Sequence, residues 1–533
     1  MPWPTIDDAR DVLRERFGYE TFRPGQERII EATLAGHDSL AVMPTGAGKS
    51  VCYQVPSVLL DGLTLVVSPL ISLMGDQVRS LKEVGIRGSF FNSTLKPYVR
   101  PEVLRRALDG WYDLMYVAPE RLDDPQFREF AAQARVPLLA VDEAHCVSQW
   151  GQDFRPSYQS IRDFVESMPE RPVVCALTAT ATSHVRRDVI DLLGLRDPVV
   201  QVSGFDRPNL RLATHELTPR ERMRWLVSFV RRHRDEAGIV YAMTRKRVEE
   251  LGQALLDEGF GVAMYHAGFS NEERTVAQER FANDDVHVMV ATNAFGMGID
   301  KSNVRYVVND GMPLSLEEYY QEAGRAGRDG EVAQCHLLWS RGDIRTAHFL
   351  IDRTEFPPET TRYERDSLLA NRNRLLGDMI GYAMSDTCLR RRIVRYFGQD
   401  LDGVDGSCDA CSACGWEEPK PRTSVVTSFD EAAYDGRASR RDDKRREADF
   451  AVAAEGLDET TDADEEMFQR LRALRKRLAD EAGMPPYIVF SDKTLRAMVR
   501  MRPATEDELL EVPGVGQKKL ATYGSDFLAE LND

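Results

Sequence analysis

Met43-Pro44-Thr45-Gly46-Ala47-Gly48-Lys49-Ser50 offers what a bound phosphate chain requires. Its glycines let the backbone turn its N–H groups toward an anion. Lys49 can reach the β and γ phosphates of a nucleoside triphosphate such as ATP, and Ser50 can set its hydroxyl on Mg²⁺. A helical run follows, and its N-terminus adds partial positive charge. The standard pattern has glycine where this chain has Met43, but the Gly-x-Gly-Lys-Ser core is intact. Thr45, Gly46, Gly48, Lys49 and Ser50 are therefore the expected nucleotide contacts. Asp142-Glu143-Ala144-His145 ends an apolar run. There Asp142 can hold Mg²⁺, directly or through water, and Glu143 can activate the attacking water. Thr178 and Thr180 end another such run, where they could hydrogen-bond across the site or cap the next helix. The segment Gln321–Gly330 carries Arg325 and Arg328 three positions apart. As a helix it would present both on one face, and a guanidinium from a second domain could stabilise charge developing on the γ-phosphate.

A second chemistry is written in cysteine. Cys408, Cys411 and Cys414 lie within one short segment, too close together for mutual disulfides, and Cys388 is the one upstream cysteine within reach. Four thiolates suit a closed, structural Zn²⁺ site; an iron–sulfur cluster is the alternative. Cys52, Cys146, Cys175 and Cys335 sit in apolar runs or motif loops and read as small core residues.

These groups need rigid elements to hold them. The chain has 533 residues, enough for several domains. Short apolar runs at Ser39–Met43, Leu63–Ser68, Leu114–Ala118, Leu138–Val141 and Val173–Leu177 alternate with helical patterns. A second series follows Phe205-Asp206-Arg207-Pro208, at Gly238–Tyr241, Val262–Tyr265, Val286–Ala291, Val304–Asn309 and Ala333–Leu338. Both series predict α/β domains with mainly parallel sheets covered on two faces. Domain boundaries are expected at 1–205, 206–342, 343–418 (helical, Arg-rich, ending in the cysteines), 419–462 and 463–533. The 419–462 stretch is polar and charged and predicts a flexible linker, with an ordered helical connector as the alternative. The last segment predicts a small helical domain.

Composition sets bounds. Charged residues make up 29% and hydrophobic ones 42%, as in a globular protein. No run approaches the roughly 20 apolar residues of a membrane span, and the N-terminus has no export pattern. The formal net charge of −17 predicts weak general adhesion to nucleic acid, so any such contact must lie in a local basic channel and weaken with salt.

The order of motifs resembles that of the RecQ-family DNA helicases of superfamily 2 over about residues 5–418, and that family's HRDC domain over about 464–531. Phe17-Gly18-Tyr19 and Phe22-Arg23-Pro24-Gly25-Gln26 match the family's adenine-recognition segment. The resemblance implies that Gln26 reads the adenine edge and Arg23 helps to hold the nucleotide. Leu65–Leu73, with Ser68, matches a strand-contacting motif. Cys146–Pro156 matches the aromatic-rich loop, where Trp150 and Phe154 offer stacking surfaces and Arg155 a phosphate or base contact. Tyr265-His266-Ala267-Gly268 and Ala291–Lys301 match motifs that place His266, Asp300 and Lys301 near DNA or nucleotide. Arg328 becomes the better finger candidate, with Arg325 supporting it.

The fold implied is two tandem RecA-like domains, a helical zinc-binding module and an all-α HRDC-like domain. The activity implied is ATP-dependent 3′–5′ translocation on single-stranded DNA, in recombination and repair. Tailed or branched duplexes would be substrates and a single-strand-binding protein a candidate partner. The resemblance further implies a monomer in the bacterial cytoplasm, associated with the nucleoid.

Many family members carry a winged-helix domain between zinc module and HRDC. Some forty mostly polar residues are too few for one, which predicts weaker or more restricted unwinding. In the last domain, the Gly514-Val515-Gly516 turn with Lys518 and Lys519 could hold a DNA phosphate; protein binding or simple packing are the alternatives.

Overall fold

The computed structural model describes residues 4–69, 71–151, 153–295, 301–354, 356, 360–401, 407–418, 462–482 and 484–532. Seven strands form the first sheet: β1 (Ser39–Val42), β2 (Thr64–Val67), β3 (Gly88–Phe91), β4 (Leu114–Val117), β5 (Leu138–Val141), β6 (Val173–Thr178) and β7 (Val199–Val202). Their order is β3-β4-β2-β5-β6-β1-β7, and every pair is parallel. Six strands form the second: β8 (Leu210–Glu216), β9 (Ala237–Ala242), β10 (Val262–Tyr265), β11 (Val288–Ala291), β12 (Val304–Asp310) and β13 (Ala333–Trp339). Their order is β10-β11-β9-β12-β13-β8, again all parallel.

All ten expected strands form. The three that the pattern did not reveal, β3, β7 and β8, are all edge strands. An edge strand has a neighbour on one side only, so its residues need not be uniformly apolar. All four residues of β7 are half-buried, whereas central β2, β4 and β5 are buried throughout. Because β5, β6 and β1 are neighbours, their carboxyl ends bring 142–143, 178–180 and 43–50 together, the position where open parallel sheets bind ligands.

One expected helix stops short. Leu316–Ala323 is helical, but Arg325 and Arg328 lie in the turns beyond it, with Gly327 in the left-handed region at φ 58°. The two arginines therefore reach their site from a glycine-punctuated loop and not from one helical face.

The third unit has helices Arg341–Asp352, Arg362–Ala383 and Leu389–Tyr396, followed by the cysteine segment. It braces the junction between the sheets. Phe397 stacks on Phe205 with ring centroids 4.2 Å apart, and the Arg390 Nη2 donates to Asp206 Oδ2 at 2.5 Å. The Phe205 amide donates to Gln399 Oε1 at 2.9 Å. The cysteine segment covers edge strand β8, where the Leu212 amide donates to the Ala410 carbonyl at 2.9 Å.

The fourth unit packs helices Asp462–Ala482, Pro486–Val489, Asp492–Met501, Glu506–Leu510 and Gln517–Asn532 around Phe468, Leu471, Phe490, Met498 and Phe527. Of the expected linker, 419–462, all but Asp462, which starts the first helix of this unit, lies outside the described residues. Among the described residues, no helix is long and apolar enough to cross a membrane.

Replacing Phe397 with Ala should remove the stack on Phe205 and cost about 3 kcal/mol, read as a lower thermal midpoint and faster proteolysis near residue 205. An unaltered melting profile would show that the stack braces nothing.

Candidate functional site

A cavity of about 500 Å³ opens between the two sheets. One wall carries Thr45, Gly46, Gly48, Lys49, Ser50, Asp142 and Glu143; the other carries Gln321, Arg325 and Arg328. Arg23 and Gln26 line it as well. Gly46 and Gly48 take φ 85° and 76°, which only glycine adopts without strain. Met43 is buried at the end of β1, and its amide donates to the Thr178 carbonyl at 3.0 Å. The unusual residue thus extends the strand and leaves the turn to the glycines.

The loop's polar groups bond within the protein. The Lys49 Nζ donates to the Met43 carbonyl at 3.3 Å. The Gln26 Nε2 donates to the carbonyls of Ala47 and Gly48 at 3.0 and 2.9 Å, while its Oε1 accepts from the Arg23 amide at 2.8 Å. The amide expected to read adenine is here engaged with the phosphate loop itself, and Arg23 bonds the Gly46 carbonyl.

Burial pushes the Asp142 carboxyl up to about 7, with the Glu143 charge adding to the rise and Lys49 opposing it. Glu143 has φ 47°, ψ 46°, a left-handed conformation that costs a non-glycine residue energy and recurs at working sites. A chain of polar contacts leaves it. Its Oε2 lies 3.4 Å from His145 Nδ1, which is 2.8 Å from Thr178 Oγ1. The Thr178 hydroxyl donates to the Thr180 carbonyl at 3.1 Å, and Thr180 Oγ1 accepts from Gln321 Nε2 at 3.2 Å. The last of these bonds crosses from the first lobe to the helix that precedes the arginine loop of the second. Helix capping falls instead to Thr182, whose side chain accepts from the Val185 amide.

The residues expected at DNA are dispersed. Phe154 and Arg155 line a second cleft of about 840 Å³, shared with Gln321 and Arg325. Trp150 is 39% exposed, beside His184 and outside that cleft. Ser68 is buried and lines the nucleotide cavity instead. His266 is buried; its Nε2 faces Glu249 Oε1 at 3.2 Å and its Nδ1 accepts from the Gly268 amide at 3.1 Å.

Lys301 departs furthest from expectation. It is 1% exposed, its ammonium bonds Asp284 Oδ1 at 2.5 Å, and Arg475 of the fourth domain lies 3.9 Å from the same carboxylate. In this arrangement it cannot reach a strand. Gly296–Asp300 lie outside the described residues. The Gly514–Gly516 turn likewise serves packing: the Gly514 amide donates to the Gly18 carbonyl at 3.0 Å. The Lys519 Nζ donates to the Ile488 carbonyl at 2.7 Å, and burial lowers its pKa to about 8. Lys518 alone of that group is exposed.

Cys388, Cys408, Cys411 and Cys414 converge, with all four Sγ atoms within 4.8 Å of one another. A zinc–sulfur tetrahedron with bonds of about 2.3 Å needs sulfurs roughly 3.8 Å apart, so the four thiols fit that ion with small adjustment.

Comparison with known proteins agrees segment by segment. Residues 23–188 match the DEAD/DEAH box helicase family, 221–330 the helicase conserved C-terminal domain, 341–415 the RecQ zinc-binding family and 464–531 the HRDC domain. The ATP-dependent DNA helicase RecQ of Bacillus subtilis is 37% identical, over 98% of this chain and 98% of that protein. Its Pasteurella multocida namesake is 33% identical, over 98% and 94%. The chain belongs to the RecQ family. The Bacillus subtilis alignment spans 590 positions, more than this chain's 533 residues, so that relative carries segments with no counterpart here. Mss116p bound to ssRNA and AMP-PNP shares the fold, with TM-score 0.55 at 16% identity over 74% of this chain and 87% of that one.

For a RecQ-family chain, the residue that sequence reasoning missed is Arg207. Its Nη1 donates to the Thr45 carbonyl at 2.8 Å, and its Nη2 to the carbonyls of Ala326 and Gly327, both at 3.0 Å. It joins phosphate loop to arginine loop. The only signal in the sequence is an arginine at the junction of the two strand series.

Arg207→Lys should lower ATP turnover at least tenfold, because one ammonium cannot span both loops, with the fold unchanged by circular dichroism; wild-type turnover would remove Arg207 from the site. A raised Asp142 pKa means that a cation must displace a proton below about pH 7. Mg²⁺-dependent nucleotide binding should therefore weaken up to about tenfold per pH unit as pH falls below 7, measured with a fluorescent ATP analogue. A flat profile from pH 5.5 to 8 would contradict the assignment.

Proposed function

We propose that this chain is an ATP-dependent DNA helicase that moves 3′ to 5′ along single-stranded DNA and acts in recombination and repair. The observation that carries the reading is the shared cavity. Lys49, Asp142 and Glu143 on one sheet face Arg325 and Arg328 from the other, an arrangement that ties hydrolysis of a triphosphate to closure of the lobes. The polarity and the DNA substrate rest on family membership.

On this reading Lys49 balances phosphate charge, Asp142 and Ser50 hold Mg²⁺, Glu143 orients and activates water, and Arg328, supported by Arg325, meets the γ-phosphate. Gln26 releases the phosphate loop and turns to adenine, and Arg23 steadies the nucleotide. Phe154 and Arg155, with Trp150 at the margin, take the strand in the second cleft. Cys388, Cys408, Cys411 and Cys414 hold Zn²⁺ as a brace for the junction. Lys518, the exposed lysine beside the glycine turn, is the fourth domain's contact to DNA phosphate. We read the protein as a cytoplasmic monomer working at the nucleoid, with a single-strand-binding protein as a candidate partner.

A second reading is a DNA-stimulated translocase or annealing factor with weak unwinding. It draws on the segments that relatives carry and this chain lacks.

Lys49→Ala should abolish ATP hydrolysis, and Glu143→Gln should keep nucleotide binding while lowering turnover about 100-fold or more. Unwinding should occur on 3′-tailed and not 5′-tailed duplexes, with ATP consumption raised by single-stranded DNA more than by RNA. DNA-stimulated turnover by Lys49→Ala would defeat the nucleotide assignment. Turnover on the 3′-tailed substrate without strand separation would favour the second reading.

A further inference from the structure

Ser50 closes the phosphate loop, and Tyr53 follows it three positions on, so both lie on one side of the first turn of helix Val51–Leu59. Ser50, Tyr53, Tyr116 and Gln77 all line the nucleotide cavity, beside Asp142. Tyr116 comes from β4 and Gln77 from helix Ile71–Glu83, so three separate elements meet behind the loop. Both tyrosines are buried, and their rings meet edge to face with centroids 6.4 Å apart. That packing fixes the rings and with them the positions of the two hydroxyls.

The hydroxyls are bonded in series. The Tyr53 and Tyr116 oxygens are 3.3 Å apart, and the Tyr116 hydroxyl donates to Gln77 Oε1 at 3.3 Å. Burial pushes the Tyr116 pKa up to about 12, and bonds to its oxygen from Tyr53 and Gln54 oppose the rise. Burial also pushes the Tyr53 pKa well above the usual phenol value, with Tyr116 and Asp142 adding to the rise. The Ser50 side chain, hydrogen-bonded to the Tyr53 oxygen, opposes it.

Gln77 sets the direction of the series. An amide oxygen only accepts, so the single proton of Tyr116 is committed to it and Tyr116 must accept from Tyr53. Tyr53 has then given its own proton to Tyr116 and accepts from Ser50. The one proton of Ser50 is thereby directed into the protein, and its lone pairs are left for the cavity. A hydroxyl can ligate a cation only in that state, because a proton turned toward the ion would oppose it. A hydroxyl beside the Asp142 carboxylate is a hard-oxygen donor set of the kind that suits Mg²⁺.

We propose that Tyr53, held by Tyr116 and Gln77, is a positioning residue for the metal site: it takes the Ser50 proton and so presents the Ser50 oxygen to Mg²⁺. The proposal rests on the nucleotide reading given above, in which Ser50 and Asp142 hold that ion. Tyr53 acts only through Ser50, and adds nothing to the hold on the phosphates themselves.

The test is a Mg²⁺ titration of the binding of a fluorescent ATP analogue to the full chain, with the metal-free affinity measured in a chelator. Tyr53→Phe keeps the ring and removes the acceptor. The Mg²⁺ concentration at half-saturation should rise about fivefold, while the metal-free affinity changes by less than about twofold. Tyr116→Phe, which leaves Tyr53 in place and cuts the link to Gln77, should raise it about twofold. In a Ser50→Ala background, Tyr53→Phe should add nothing further, because the group it positions is gone. An unchanged half-saturation in Tyr53→Phe, an equal loss of metal-free affinity, or an undiminished effect on Ser50→Ala overturns the proposal. Should Tyr53→Phe not fold, Tyr116→Phe decides by the same two readings. If Ser50→Ala is impaired in its Mg²⁺ dependence and Tyr53→Phe is not, only the role of Tyr53 fails. Normal Mg²⁺ dependence in Ser50→Ala would remove Ser50 from the metal site, and the reading beneath the proposal with it.

Discussion

Arg207 is held almost entirely by backbone carbonyls that belong to both lobes: Thr45 on one side, Ala326 and Gly327 on the other. Burial lowers its pKa, the mark of a cation removed from water with few carboxylates nearby. Such a group is stable only while its carbonyl partners surround it. Separating the lobes would leave the guanidinium short of acceptors until water reached it. The apposed state therefore carries its own latch, and the cavity between the sheets exists only while that latch is closed. Arg207 follows Phe205 and Asp206, which are held by Phe397 and Arg390 of the cysteine module. Three consecutive residues are thus pinned by three different bodies, which explains why a distant sulfur-rich module bears on the junction between two sheets.

Inside the latch, polar contacts run in one direction. Glu143, His145, Thr178, Thr180 and Gln321 form a chain from the strained turn after β5 to the helix before the arginine loop. Burial lowers the His145 pKa, which keeps the ring neutral, with its Nδ1 facing both the Glu143 carboxylate and the Thr178 hydroxyl. The same helix end borders the cleft of the aromatic loop.

The sequence made the phosphate loop, the acidic pair, the cysteine quartet and the central strands legible because each depends on residues close in the chain. Strands β3, β7 and β8 were not legible, since an edge strand is paired on one side and its pattern blurs. The arginine segment was legible in content and not in shape: three glycines in ten residues end the helix at Ala323. Arg207 escaped notice because a guanidinium that binds carbonyl oxygens demands no particular partner side chain. Lys301 and Lys519 were assigned to DNA on local grounds, yet both are buried, Lys301 paired with Asp284 and Lys519 bonded to the Ile488 carbonyl. No pattern around residue 301 could announce a neighbour that begins 161 positions later.

An acidic protein with a strand-binding role needs a place where its negative charge is silenced. The aromatic-loop cleft is such a place. Glu318 and Glu322 line it, and burial raises both their pKa values, Glu322 well above the usual carboxylate range. The Asn309 amide bonds one Glu322 oxygen at 2.5 Å, so the acid is satisfied without being ionised. Opposite stand Arg155, and Arg372, whose guanidinium lies over the Phe356 ring at 5.8 Å. Net charge over the whole chain therefore misstates the field inside this cleft. Arg325 and Gln321 belong to its lining and to that of the nucleotide cavity at once. On the proposed reading, a phosphate in one and a strand in the other compete for, or share, the same guanidinium and the same amide. Coupling between hydrolysis and strand binding then requires no long pathway, because the two sites are separated by single side chains.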